Sequence, residues 1–178
     1  MLNVLPVHPH PQEQELLSSW LFRLAQANGA KLNPFRKAVL GGAPVWNRDI
    51  DQSAGQDLLS ALHRATGLTP EVIHATTLAS YQGVLFEQHN PLGTTRWVLP
   101  VGIRHVVRRR FGLQYCPRCL NEDDVPHFRT FWRLACATTC AKHQRSLRNA
   151  CHACGAPVAF HLLDLSRKTR FNPGPITT

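Results

Sequence analysis

The residues best suited to chemistry lie between Cys116 and Gly155. Cys116-Pro-Arg-Cys119 is followed, after twenty intervening residues, by Cys140-Ala-Lys-His143, and Cys151-His-Ala-Cys154-Gly155 comes next. A two-residue spacing on a tight knuckle lets both side chains face one ion, and three thiolates with one imidazole form a tetrahedral donor set that suits Zn²⁺. Cys116, Cys119, Cys140 and His143 therefore predict a zinc site. The set contains no carboxylate and leaves no open position, so the expected zinc is structural, and its binding energy becomes folding energy in a small domain.

Cys151 and Cys154 form half of a second site, and no further cysteine follows before Thr178. Three completions stand open. His161 joins Cys136 or His152, the site is degenerate, or the second pair lies beyond a truncated end. Truncation and degeneration are favoured over improvised ligands. Cys136 has no two-residue partner and sits between Ala135 and Ala137, which predicts a small core residue.

Charge adds a second functional signal. The formal net charge is +9. Residues 1–95 carry six Lys/Arg against seven Asp/Glu, whereas residues 96–178 carry fourteen against four. The basic half is also the cysteine half, and such asymmetry points to a polyanionic partner, most simply nucleic acid. Arg104, Arg108, Arg109, Arg110 and Arg118 are the candidate contacts, in a stretch with no acidic residue between Arg96 and Asn121. Trp97, Phe111 and Tyr115 are interleaved with them. Guanidinium forks match phosphate, and flat rings stack bases. A solvated basic face beside a zinc knuckle is the plainer alternative.

Catalytic patterns are missing. The sequence contains no phosphate-binding glycine loop, no Gly-x-Ser-x-Gly and no His-Glu-x-x-His. The triplet Glu122-Asp123-Asp124 is the one acidic cluster a nuclease reading could use. It has no companion carboxylates nearby and is expected to cap a turn or to pair with Arg129 or Arg133. No apolar run reaches membrane-spanning length, and the proline-rich N-terminus lacks a signal-peptide pattern. A cytoplasmic, reducing setting is the expectation, and clustered cysteines there serve metals rather than disulfides.

These residues need elements to hold them. Glu13 to Asn28 has helical periodicity, with Leu16, Leu17, Trp20, Leu21, Leu24 and Ala25 on one face, and Gly29 closes it. Asn33-Pro34 starts a short helix to about Leu40. A loop over 43–54 contains Trp46. Asp57 to Thr66 forms a third helix ended by Gly67, and Thr69-Pro70 starts a fourth that runs to about Leu78. The last pair has a helix-turn-helix outline, but the segment Pro70–Leu78 contains no Arg or Lys with which to read bases. Docking to protein is therefore slightly favoured over DNA reading. Arg96 to Pro100 reads as a short strand. The fold class is a mainly α, helix-turn-helix-like region with its linker over 1–95, plus a small α+β, basic zinc-ribbon region over 96–178 whose second ribbon is incomplete.

The motifs resemble the TniQ/TnsD family of transposition target-selection proteins, of the short TniQ type. The resemblance covers about residues 13–155. It rests on Glu15-Leu-Leu-Ser-Ser-Trp20-Leu-x-Arg23-Leu-Ala25, on Thr66-Gly67-Leu68, on Leu113-Gln-Tyr-Cys-Pro-Arg-Cys119-Leu-x-Glu122-Asp123, on Phe128-Arg-x-x-Trp132-Arg-Leu134, and on Cys140-x-x-His143-x-x-x-Leu147-x-x-x-Cys151-x-x-Cys154-Gly155. It implies an N-terminal helix-turn-helix domain, tandem zinc ribbons and no enzymatic activity. It further implies recruitment or nucleation of an AAA+ transposition regulator at a target specified by DNA or, as in CRISPR-associated transposons, by an RNA-guided effector complex. The family's second ribbon closes with another Cys-x2-Cys, from which this sequence departs after Cys154. Under the resemblance the Glu122-Asp123 pair becomes a packing feature. The alternative reading is a zinc-dependent helix-turn-helix transcription regulator.

Overall fold

The computed structural model describes residues 4–42, 45, 48–101, 103, 104, 107, 108, 112–158 and 160, with the backbone alone at 103, 104, 107 and 108. Trp46, Arg109, Arg110, Phe111 and His161 lie outside the described residues. The fold is mainly helical with two small antiparallel sheets, in the expected class. The helices are α1 (Leu17–Ala27), α2 (Leu32–Val39), α3 (Ile50–Ser53), α4 (Gln56–Thr66), α5 (Pro70–His74) and α6 (Pro117–Glu122). Strands β1 (Ile103–Arg104) and β2 (Val107–Arg108) pair with Ile103 opposite Arg108, while β3 (Thr139–Cys140) and β4 (Arg145–Ser146) pair with Cys140 opposite Arg145.

The apolar stripe of α1 buries Leu17, Trp20, Leu21, Leu24 and Ala25, and Gly29 ends the helix in the left-handed region. Its start differs from the periodicity. The helix begins at Leu17 rather than near Glu13, because the preceding backbone is taken up by tertiary pairing. Thr130 N–H donates to the Gln14 carbonyl at 2.6 Å, and Leu16 N–H donates to the Phe128 carbonyl at 2.8 Å. Glu15 is consequently a buried group rather than a first-turn surface acid. Its carboxylate accepts from Ser19 Oγ, Arg23 and the Gln12 amide. A carboxyl group buried this way is tolerable only because those donors satisfy it.

The loop expected over 43–54 contains α3, a single helical turn. Asp51 on that turn accepts from the Ser18 amide at 2.8 Å and from Ser18 Oγ at 2.9 Å. A carboxylate borrowed from α3 thus caps the start of α1, where the helix dipole favours negative charge. Helix α4 ends at Gly67, φ +71°, as its sequence predicts, and packs on α5. Helix α5 stops at His74 instead of reaching Leu78. Thr76 and Thr77 turn their hydroxyls back onto the carbonyls of Ile73 and His74, at 2.6 and 2.8 Å, which competes with helix continuation. A 3₁₀ turn over Leu78–Tyr81 follows.

The segment expected as a strand at Arg96–Pro100 makes a single bridge, Val98 to Leu134, rather than a sheet. It is laced to the chain beyond the metal knuckle: Leu99 N–H donates to the Arg133 carbonyl and Ala135 N–H to the Trp97 carbonyl, at 2.8 and 2.7 Å. The buried core runs through both sides of this lacing. Trp20, Leu24, Leu62 and Leu78 belong to the same buried cluster as Leu113, Cys116, Phe128 and Trp132. Cys136 is exposed, contrary to its expected place in the core. The hydrogen-bonded turn Leu134–Thr138 that follows the lacing carries it outward.

Arg133 is fully buried in this packing. Its guanidinium meets Asp49 at 2.5 and 3.0 Å and Asp51 at 3.1 Å, and donates to the Leu99 carbonyl at 2.9 Å. Burial alone would lower the Arg133 pKa, but the two carboxylates outweigh it and hold the charge. Asp51 balances the other way. Burial pushes its carboxyl up, Arg133 pulls it down, Asp49 pushes it up again, and the net direction is upward. Because the folded pKa lies above the unfolded one, ionised Asp51 costs stability increasingly as pH rises through the raised value. Arg133→Ala should therefore lower unfolding free energy by about 3–5 kcal/mol, the loss expected when a buried pair loses one partner. Asp51→Asn, which leaves Arg133 paired to Asp49, should cost far less. Urea unfolding checks the pair, and equal losses would contradict this assignment.

Candidate metal centre

Two short elements bring the four predicted ligands together. Cys116 precedes α6 and Cys119 lies within it, with Pro117 in the first turn, where a missing N–H costs nothing. Cys140 closes β3, and His143 follows in the β3–β4 turn. Gln144 closes that knuckle with φ +48° and donates its N–H to the Cys140 carbonyl at 2.7 Å. The result is a cluster whose ligand atoms all lie within 4.8 Å of one another, with the three cysteines buried. His143 Nδ1 sits 3.4, 3.3 and 3.6 Å from the sulfurs of Cys116, Cys119 and Cys140, and the Cys119 and Cys140 sulfurs are 3.6 Å apart.

Those separations test whether a metal fits. Tetrahedral bonds of about 2.0–2.3 Å give ligand–ligand edges of about 3.5–3.8 Å. The observed contacts approach that spacing, and the donors are soft or borderline, so the residues fit a four-coordinate metal ion. The thiols of the cluster differ in how readily they give up their protons. Burial, together with the hydrogen bond shared with Cys140, pushes the Cys119 thiol up to about 12. Burial also works to raise Cys140, but hydrogen bonds from the His143 amide, from Cys119 and Cys116 and from the His143 ring outweigh it and bring that thiol down to about 7. Metal binding to such a set must release protons.

A fifth residue completes the arrangement. Glu122 Oε2 lies 2.8 Å from His143 Nε2, and Glu122 Oε1 pairs with Arg118. With its carboxylate on Nε2, the imidazole presents Nδ1 to the sulfurs in a fixed tautomer, the usual outer-shell partner of a metal-bound histidine. Hydrogen bonds from His143 and then Arg118 hold the Glu122 carboxyl below its ordinary value. The sequence alone predicts turn capping or packing for Glu122. A sharper signal was available: Glu122 stands three residues after Cys119, so a helix through Cys119 puts both on one face. Asp123 pairs with Arg129 at 2.6 Å, one of the two partners expected for the acidic triplet, whereas Arg133 pairs with Asp49 and Asp51 instead.

The structure does not bring Cys151 and Cys154 to this cluster. They form a separate knuckle in which Gly155, φ +69°, donates its N–H to the Cys151 carbonyl at 2.8 Å. Cys151 is half-buried and Cys154 exposed. Hydrogen bonds from the Ala153 and Cys154 amides, then from the Cys154 side chain, lower the Cys151 thiol. Among the described residues no third ligand group gathers there. Of the predicted arginines, Arg118 is exposed and ion-paired to Glu122, and Arg104 and Arg108 lie on the β1–β2 hairpin.

The TniQ family model matches residues 6–147. The chain belongs to the TniQ family. A comparison with curated proteins gave no match. The matched region of this TniQ protein begins before α1, contains α1 to α6, and ends four residues past His143, so it takes in the Cys/His cluster and excludes the Cys151–Cys154 knuckle. Among the described residues no helix is long and apolar enough to cross a membrane.

Two substitutions separate the ligands from their support. Cys116→Ser should abolish stoichiometric zinc binding and unfold the region around the cluster, because closed structural sites supply folding energy. Glu122→Ala should retain one metal per cluster but weaken it by about tenfold or more, as expected for loss of an outer-shell partner. Chelator competition with zinc analysis checks both. Wild-type affinity in Glu122→Ala would show that the carboxylate does not support His143.

Proposed function

We propose that this chain is a non-enzymatic target-selection adaptor in DNA transposition. Its role is to recruit or nucleate an AAA+ transposition regulator at a target specified by DNA or by an RNA-guided effector complex. The observation that carries the reading is the TniQ match, which runs through the helical part and the metal cluster together. Family membership supports a transposition-related role, and the family acts as a non-catalytic adaptor. The chemistry of the cluster agrees with that role. Three buried thiols and an imidazole leave no position for a substrate on a four-coordinate ion, so Zn²⁺ held by Cys116, Cys119, Cys140 and His143 supplies fold rather than reaction. Cys151 and Cys154 are proposed as half of a second site.

Nucleic acid is the proposed polyanion for Arg104, Arg108, Arg109, Arg110 and Arg118, supported by the basic balance of residues 96–178. The α4–α5 pair is assigned to protein docking. The exposed side chains of α5 are Pro70, Glu71, Val72 and His74, without Lys or Arg, which disfavours the alternative of a transcription regulator reading bases with this helix.

Retention of the cognate ATPase on immobilised DNA is the direct test. The ATPase should be retained at low salt only when the chain is present. Replacing Arg108, Arg109 and Arg110 together by alanine should flatten the salt dependence of DNA or guide-RNA binding by about 0.7–0.9 per lost phosphate contact. ATPase retention that does not depend on the chain would contradict the adaptor role, and an unchanged salt slope would assign the arginines elsewhere.

A further inference from the structure

Trp97 is exposed at 47%, whereas Trp20 and Trp132 are fully buried. Its backbone is nevertheless fixed. The Trp97 carbonyl accepts from Ala135, and the next two amides, Val98 and Leu99, donate to Thr95 and Arg133. Held this way, Trp97 has φ +66°, the left-handed region, where a bulky aromatic is an outlier. A rigid, strained backbone that turns a large apolar ring into solvent is a combination found at functional sites. Packing does not explain it, since the ring leaves the core rather than filling it.

The surroundings indicate the ligand. The Arg96 guanidinium lies over the Trp97 ring, 5.2 Å from the indole centroid, so a planar cation stacks on part of the ring that is otherwise turned to solvent. No acidic residue occurs between Arg96 and Asn121. Gly112 approaches the Leu99 and Pro100 carbonyls so closely that a Cβ would collide with both. The foot of the β1–β2 hairpin, with Arg104 and Arg108, is therefore pinned beside this corner. The other flat side chain from this stretch that the structure describes is engaged: Tyr115 packs against Phe128 and directs its hydroxyl to the Ala150 carbonyl. A ring for a base and a guanidinium for its phosphate match one nucleotide.

We propose that the Arg96–Trp97 corner is a stacking site for an unpaired base of DNA or RNA, at the foot of the arginine-bearing hairpin. It rests on the nucleic-acid reading given under Proposed function and adds a preference for unpaired strands. A duplex keeps its bases stacked internally and offers this ring nothing but an end.

The test measures binding of the full chain to a short oligo(dT), an oligo(rU) and a blunt duplex of equal length, by fluorescence anisotropy. Trp97→Gly removes the ring and accepts the left-handed backbone, so the fold is kept, and thermal melting verifies this. Trp97→Phe keeps a stacking face. Single strands should bind Trp97→Gly about tenfold more weakly than wild type, and Trp97→Phe within about threefold, in line with the loss of one base–aromatic stack. Duplex binding should not change. Single strands should also quench tryptophan emission in wild type and not in Trp97→Gly. The stronger of the dT and rU arms identifies the natural strand. Equal single-strand affinity in wild type and Trp97→Gly, or binding of the duplex alone, would overturn the stacking site and leave the nucleic-acid reading standing. No binding of any probe by wild type would overturn both.

Discussion

One buried guanidinium joins the two ends of this fold. Arg133 sits with no exposure between Asp49 and Asp51, and its own carbonyl receives Leu99. Asp51 in turn caps the start of α1 through Ser18. A single side chain therefore connects the turn after the first metal knuckle, the segment before the basic hairpin, and the first helix. Two carboxyl groups share one buried cation, and both of its terminal nitrogens are held by hydrogen bonds to Asp49, Asp51 and the Leu99 carbonyl. Asp49, Asp51 and the Leu99 backbone are all met by this one residue of the 128–134 segment.

The metal cluster acts through the same segment. Cys119 and Cys140 bracket residues 120–139, and drawing both toward one point closes the loop on which Phe128, Trp132 and Arg133 are carried. Phe128 and Thr130 then bond the backbone at Leu16 and Gln14. A metal bound there would thereby contribute to the order of helices that supply none of its ligands. The helices and the chain flanking the basic hairpin share one small core, with Val101 and Leu113 in the same buried cluster as Trp20 and Leu24.

The local parts of this plan were legible in the residues. The gathering of Cys116, Cys119, Cys140 and His143 follows from two-residue spacings, the stops at Gly29 and Gly67 from glycine's tolerance of positive φ, and the stripe of α1 from its period. What was not legible is tertiary. Glu15 looks like an ordinary first-turn acid until the chain from residues 128–130 pairs beside it. Asp49 and Asp51 looked like loop residues because their partner lies more than eighty positions away. Helix α5 fell short because two threonine hydroxyls claimed its last carbonyls. Cys136, placed inside by its residue type, is carried out by a turn. Composition and period report what a segment can bury, but they do not report which distant backbone will reach it.

If the metal knuckle holds the first helix through residues 128–134, amide hydrogen exchange before and after zinc chelation will show it. Chelation should accelerate exchange at Cys116–Leu147 and also at Leu16, Leu17 and Ser18, which belong to neither knuckle. Loss of protection confined to the knuckles, with Leu16 to Ser18 unchanged, would contradict it.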